Sequence, residues 1–479
     1  MLPRGRISDA RPTGGTVLAL ALGFGLLGCG SDSAPTPAPA PTNQLPTFSS
    51  NNSTATVVEN SSGTLFTVQA TDPDGDAISY SLTGADAAAF AIAASGSVSF
   101  RSPPNFDLPS DTDQDNLYQF NIVASDGQAL VSTQARVTVT NDREGIRVRR
   151  VATGLNGAVA LASGTGGSTL ILGYRRGNYL RIDGASGTLE TTTLMQNFDT
   201  LGNNDYELID ILERPGRGPF AGVFGLLQLN DNSIILRRNS DFVLSSGANQ
   251  VPVRGALGFG PDGDVFVAIG ASSTSAAQDP ASGFGKLYRV RNNPDPFAGA
   301  RPNFFIVNVV GSGIRSPGGS SFVNGLLTFS DRGTQAADEL SAYPGSGNVN
   351  FGWPFFEGTQ RVSDGGPASL VQPIVSLPRG TGRRESNNLI GPVFYDGAAI
   401  AGLRNHVVFL DADGTVFSYA ISRNDGGTII GASSVEVRTE DFAPDAGTID
   451  NPVATARDAN GNLYILDGDG ELFRVEAAN

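Results

Sequence analysis

Between residues 146 and 479 one short pattern recurs. It is an apolar, often β-branched run, a turn built on Asp-Gly, Asn-Gly or a similar pair, a second run, and often a third run ending in Arg-Val. The clearest copies are GFGPDGDVFVAIG followed by GKLYRV (258–290), HVVFLDADGTVFSYAI (406–421) and ARDANGNLYILDGDGELFRV (456–475). Weaker copies are STLILGYRRGNYLRID (168–183), VFGLLQLNDNSIILRR (223–238) and NGLLTFSDRG (324–333). Asp-Gly and Asn-Gly suit hairpin turns because both central residues can take positive φ. Six such copies predict a six-bladed β-propeller, in which radial repetition protects the sheet edges. A long β-solenoid or a pair of sandwiches fits the spacing less well. The 479 residues leave room for further domains, and the net charge of −15 argues against a nucleic-acid partner, since nothing would neutralise phosphates.

Residues 46–144 follow a different rhythm. Short alternating runs such as TVVEN, LFTVQA, ISYSL, YQFNIVAS and ARVTVT predict a β-sandwich. Acids gather between these runs: Asp72-Pro73-Asp74-Gly75-Asp76, Glu59-Asn60, Asn105-Phe106-Asp107, Asp126-Gly127 and Asn141-Asp142. Like charges this dense repel unless a cation sits among them, and hard oxygen ligands suit Ca²⁺. In this order the motifs, with Leu45-Pro46-Thr47-Phe48 ahead of them, resemble a cadherin-like repeat of the bacterial type. The resemblance implies Ca²⁺ sites at the two ends, with Glu59, Asp107 and Asp142 at the lower end and Asp72, Asp74 and Asp126 at the upper end. A single repeat offers each site half the usual ligands. The bland alternative stays open: these acids are turn residues, since Asp-Gly also favours tight turns.

The N-terminus carries a basic start (Arg4, Arg6, Arg11) and a short apolar run, Val17 to Leu27. It ends in Leu26-Leu27-Gly28-Cys29, which resembles a bacterial lipobox. That implies a signal peptide over 1–28, lipidation of Cys29 and anchoring to a membrane; Gly30, where Asp would signal inner-membrane retention, favours the outer membrane. A plain secretory signal with an incidental cysteine is the other reading. Residues 29–45 contain the Pro-rich tether SDSAPTPAPAPT. Cys29 is the only cysteine, so no intrachain disulfide forms.

Further motifs in the second region point to a family. They are Gly258-Phe259-Gly260-Pro261-Asp262-Gly263, Gln278-Asp279, Gly285-Lys286-Leu287 and Gly313-Ile314-Arg315-Ser316-Pro317-Gly318. Asp331-Arg332-Gly333 with Asp338-Glu339-Leu340, Asn348 to Pro354 and Phe394-Tyr395-Asp396-Gly397 complete the series. Together they resemble the glucose/sorbosone dehydrogenase propellers that use pyrroloquinoline quinone (PQQ). The resemblance implies hydride transfer from an aldose to the quinone, a histidine base, a Ca²⁺ held by backbone carbonyls at Gly333 and Thr334, and Arg315 as a carboxylate clamp.

The base is missing. The family histidine lies a few residues before the Gly-Pro-Asp-Gly turn, and here that place holds Val251, Pro252, Val253 and Arg254, with Pro252 the best match. The only histidine, His406, lies in a different repeat. Acids Asp411 and Asp413 follow it and are wrong in sign for an anionic cofactor. Two main readings therefore stand, beside a weaker one of a structural adhesin whose propeller takes no ligand. One is a lipid-anchored protein whose calcium-binding repeat serves adhesion or spacing, and whose degenerate propeller binds a carbohydrate or a protein. The other is an active PQQ-dependent aldose dehydrogenase with an altered base.

Overall fold

The alternating runs of the first region form strands with alternating burial. In the computed structural model the described residues are 42–49, 53–190, 206–214, 221–239, 241–249, 251–260, 262–297, 303–421 and 430–478. The lipobox and Cys29 lie outside them. A four-stranded sheet runs in the order Thr54–Val58, Leu130–Thr140, Leu117–Ser125, Ser79–Thr83. A three-stranded sheet, Thr64–Thr67, Ser97–Phe100, Phe90–Ile92, faces it. Phe90, Tyr118, Phe120, Ile122 and Val137 fill the space between them. Phe90 stacks on Phe120 at 4.3 Å and meets Tyr118 edge-on at 5.6 Å, so aromatic packing closes this small core. The fold is the expected all-β sandwich.

The repeats of the second region form hairpins as the Asp-Gly turns require. Gly255–Phe259 pairs with Val265–Ile269, and His406–Asp411 with Val416–Ala420. The turn glycines Gly263 and Gly414 sit at φ +74° and +91°, where a side chain would be strained. Six antiparallel-based sheets follow one another among the described residues. Their innermost strands are Ala158–Ser163, Tyr206–Arg214, Gly255–Phe259, Pro317–Val323, Leu389–Tyr395 and Pro452–Arg457. Each touches the next, and the last touches the first, so the strands ring a central channel. The sheet that begins with Pro452–Arg457 ends on Ile146–Ala152, the first strand of the region, which joins the two ends of the ring. Closure of this kind leaves no open sheet edge between first and last repeat. The architecture is that of a β-propeller.

The sandwich and the propeller belong to one compact unit, Leu45–Asn479. Arg438 of the propeller stands at their junction with only 1% of its side chain exposed. Its guanidinium meets Asp107 at 3.0 Å, Glu144 at 2.5 Å, Glu436 at 2.8 Å and Asp441 at 2.9 Å. A guanidinium has five donors in a rigid fork and suits such a socket. Nearby, Arg383 donates to the carbonyls of Phe106 (2.8 Å) and Gln114 (3.1 Å), and Arg384 to the Gln114 side chain (3.0 Å). One cation among several acids leaves an excess of negative charge. Burial, reinforced by Asp441, Glu59 and Glu436, pushes the Asp107 carboxyl up to about 9 despite Arg438.

That raised value has a signed consequence. The folded state holds a proton on Asp107 that the unfolded chain releases, so this contribution is full in acid and is lost as pH rises towards 9. Urea midpoints should fall between pH values of about 6 and about 9 in the wild type, and Asp107→Asn should flatten that fall. An equally steep fall in Asp107→Asn would refute the assignment.

Candidate binding site at the channel mouth

Three of the six sheets share a device that positions the mouth of the channel. A buried aspartate ends the second strand of the sheet and accepts the backbone N–H groups of the two residues that precede the first strand. Asp331 takes Arg315 (2.9 Å) and Ser316 (2.5 Å), Asp411 takes Asn387 (2.9 Å) and Asn388 (2.7 Å), and Asp467 takes Asp450 (3.2 Å) and Asn451 (3.0 Å). These carboxylates satisfy backbone donors that no ladder partner reaches. They also fix the residues that rim the channel. Asn388, Asn451 and Arg254 line a cavity of about 250 Å³ there. Arg254 also lines a neighbouring cavity of about 510 Å³ with Gln228, Pro252, Ser272, Arg315, Thr334 and Trp353.

Three arginines gather at the mouth. Arg254, Arg315 and Arg332 each act on another of the three; among the described residues no carboxylate lies within 4.0 Å of these guanidinium groups, while Asp338 acts on Arg254, and Asp331 and Glu357 on Arg315, from further off. Burial and the neighbouring arginines hold Arg254 below its ordinary range; burial, partly offset by Asp331, does the same for Arg315. Arg254 donates to Asn388 at 2.7 Å, and the Nε of Arg332 is buried without a partner. Desolvated like charges with spare donors are costly unless an anion joins them. Asp411, expected from its sign to oppose an anion, accepts the N–H groups of Asn387, Asn388 and Ala412, and Asp413 is exposed and caps its own turn through the Thr415 N–H.

The residues expected at a cofactor site are partly assembled. Arg315 is at the cavity wall as the resemblance implies. Its Nη1, however, donates to the carbonyls of Arg332 (2.8 Å) and Gly333 (2.6 Å). The Gly333 carbonyl is thus taken by a cation, and a Ca²⁺ placed on it would stand against that guanidinium. Thr334 borders the cavity, with its N–H (2.6 Å) and its hydroxyl given to Glu357. Glu357 also takes the N–H groups of Gln335 (2.8 Å) and Ala336 (2.7 Å), so it shapes this loop. Asp338 holds Gly333 (N–H at 3.0 Å) and Arg379. The arginines fit a carboxylate-bearing group; the carbonyl cradle does not fit a metal.

Among the described residues no histidine lines either cavity. Pro252 and Val253 line the larger cavity beside Arg254. His406 opens the strand whose far end, Asp411, serves the mouth. Five residues at about 3.3 Å each put it some 16 Å away, and its ring faces Glu436 at 3.5 Å. Lys286 is spent on three carbonyls, those of Ala276 (3.1 Å), Ala277 (3.0 Å) and Phe284 (3.0 Å). Trp353 is placed by Gln278, whose amide donates to its carbonyl at 2.6 Å and accepts from Asn350 at 2.7 Å. These motifs build the cavity wall.

The six acids of the sandwich fall into two groups. At one end Asp72 accepts the Asp74 N–H (2.8 Å), and Asp126 accepts those of Gln128 (2.7 Å) and Ala129 (2.6 Å), which are turn roles. At the other, Glu59 accepts from Phe106 (2.8 Å) and Asp142 (3.2 Å), Asp142 caps Glu144 (2.6 Å), and Asp107 faces Arg438. Sequence reasoning passed over Arg254 as a binding residue and Arg438 altogether.

Residues 43–140 match the family model described as bacterial Ig domain, and residues 227–409 match the one described as glucose/sorbosone dehydrogenase. The crystal structure of the soluble aldose sugar dehydrogenase from Escherichia coli in the apo-form is 18% identical; the match covers 69% of this chain and 99% of that one, with a TM-score of 0.50. A crystal structure of glucose dehydrogenase is 20% identical over 69% and 99% of the two chains, with a TM-score of 0.47. No curated protein matches. The chain therefore carries an Ig-like domain followed by a β-propeller, residues 227–409 of which match the glucose/sorbosone dehydrogenase model.

Proposed function

We propose that this chain is a binding protein of the bacterial envelope whose propeller holds a carboxylate-bearing carbohydrate at the channel mouth without oxidising it. The observation that carries this reading is the set of three neighbouring arginines, Arg254, Arg315 and Arg332, with no carboxylate within ion-pair distance among the described residues. Arginine recognises carboxylate through paired donors. Trp353 offers a flat apolar wall for a sugar ring, and Gln228, Ser272, Ser316 and Thr334 offer neutral partners for hydroxyls. The ancestral base position holds Pro252, which accepts no proton.

A second reading, a PQQ-dependent aldose dehydrogenase, draws on the family match and on the same arginines, since PQQ is itself a polycarboxylate. When bound, PQQ would supply hydride acceptance, with Arg315 and Arg254 holding its carboxylates. The absent base and the occupied Gly333 carbonyl weigh against it. Supplying PQQ and Ca²⁺ to the chain and following dye reduction with a panel of aldoses separates the readings. We expect no turnover above the cofactor-only control; substrate-dependent turnover would establish the dehydrogenase.

Lipidation of Cys29 and outer-membrane anchoring belong to the same proposal, with the Pro-rich tether lifting the sandwich and propeller off the bilayer. A protein carrying an exposed acidic segment is the other ligand the mouth would accept. At the junction Arg438 stands 3.0 Å from Asp107, where a Ca²⁺ at that end would lie, and the sandwich serves as a spacer fixed to the propeller.

A further inference from the structure

The loop 110–116 reads Ser-Asp-Thr-Asp-Gln-Asp-Asn and leads into the sandwich strand Leu117–Ser125. Asp111, Asp113 and Asp115 each bring a carboxylate oxygen within 4.8 Å of the others. Asp113 and Asp115 are exposed, but Asp111 is only 4% exposed. Its Oδ2 accepts the Asp115 N–H at 2.8 Å, while its Oδ1 is sealed from solvent and has no donor. No Lys or Arg lies within 4.0 Å of the three carboxylates among the described residues; Arg384 acts on Asp111 only through its charge. A buried oxygen without a partner, inside a ring of like charges, is costly and marks the place of a cation.

We propose that this loop binds Ca²⁺ through one carboxylate oxygen each from Asp111, Asp113 and Asp115, with water and backbone oxygens completing the shell. The donor set is all oxygen, which selects a hard cation, and a loop ligand set tolerates the irregular geometry Ca²⁺ accepts and Mg²⁺ does not. The site is distinct from the six acids singled out in the sequence and independent of the sugar reading. It also bears on the junction. Gln114 lies between two of the ligands, and Arg383 and Arg384 of the propeller hold its carbonyl and its side chain. An ion that fixes the loop fixes a docking point of the propeller.

Calorimetric titration of CaCl₂ into the full chain tests this. We expect a site with a Kd of about 10⁻⁴ to 10⁻³ M, the range of extracellular modules. Asp113→Asn and Asp115→Asn, both at exposed positions, should weaken it at least about tenfold, while Asp72→Asn combined with Asp74→Asn leaves it unchanged. Thermal unfolding gives a second readout: the melting temperature in chelator is unchanged by Asp113→Asn, and the rise on adding Ca²⁺ is lost. No Ca²⁺ binding by the wild type up to about 5 mM, or equal binding and an equal rise in Asp113→Asn, would overturn the proposal.

Discussion

Arg438→Met is expected to destabilise the chain by about 3–5 kcal/mol, the usual cost of removing one partner from a buried charge cluster. The side chain is almost fully buried and stands against Asp107 and Glu144 on the sandwich side and Glu436 and Asp441 on the propeller side. Methionine fills much of the volume, so the loss reports charge. His406 and Arg438 hold Glu436 down to about 2 against the burial that would raise it. Without Arg438 the carboxylates around it, Asp107 being already protonated, must take up further protons or separate. Because they come from both domains, unfolding should split into a sandwich and a propeller transition. Chemical unfolding followed by calorimetry checks this; a loss below about 1 kcal/mol with a single transition would show that the junction is held elsewhere.

The second large effect concerns the mouth. Arg254→Ala and Arg315→Ala should each weaken binding of a uronic-acid oligosaccharide by about 10- to 100-fold, since hydrogen bonds to charged groups contribute about 1.5–3 kcal/mol. Arg254 borders both cavities and its loss should be felt most directly. Arg315 also braces the carbonyls of Arg332 and Gly333, so its removal loosens the loop as well as the charge. Arg315→Lys keeps the charge without the fork and should recover part of the affinity. Equilibrium titration of each variant reads these changes; affinity equal to wild type in both alanine variants would move the site away from the arginines.

Much of the fold is legible in the sequence because hairpins are local. The pairs Asp262-Gly263 and Asp413-Gly414 announce turns, and the apolar runs beside them announce paired strands. The sandwich is legible from its alternation for the same reason. The mouth was legible only in part. Pro252, singled out in the sequence, borders the cavity. Its neighbour Arg254 gave no signal of its own, because its role depends on Arg315, some sixty residues further on. The sign of Asp411 is visible in the sequence, but its backbone partners Asn387 and Asn388 are not. Arg438 was illegible because four acids from separated segments define its socket. Asp111, Asp113 and Asp115 did leave a signal, carboxylates at every second position of one loop, which the richer acid motifs around it obscured.

The central claim is that the propeller mouth is an anion-recognising sugar site. The most direct measurement is calorimetric titration of the wild-type chain with a uronic-acid oligosaccharide and with a neutral oligosaccharide of the same length and linkage, at low and high salt. The account predicts heat with the acidic ligand only, falling as salt rises. Equal binding of the neutral sugar, or no binding of the acidic one at low salt, would contradict it.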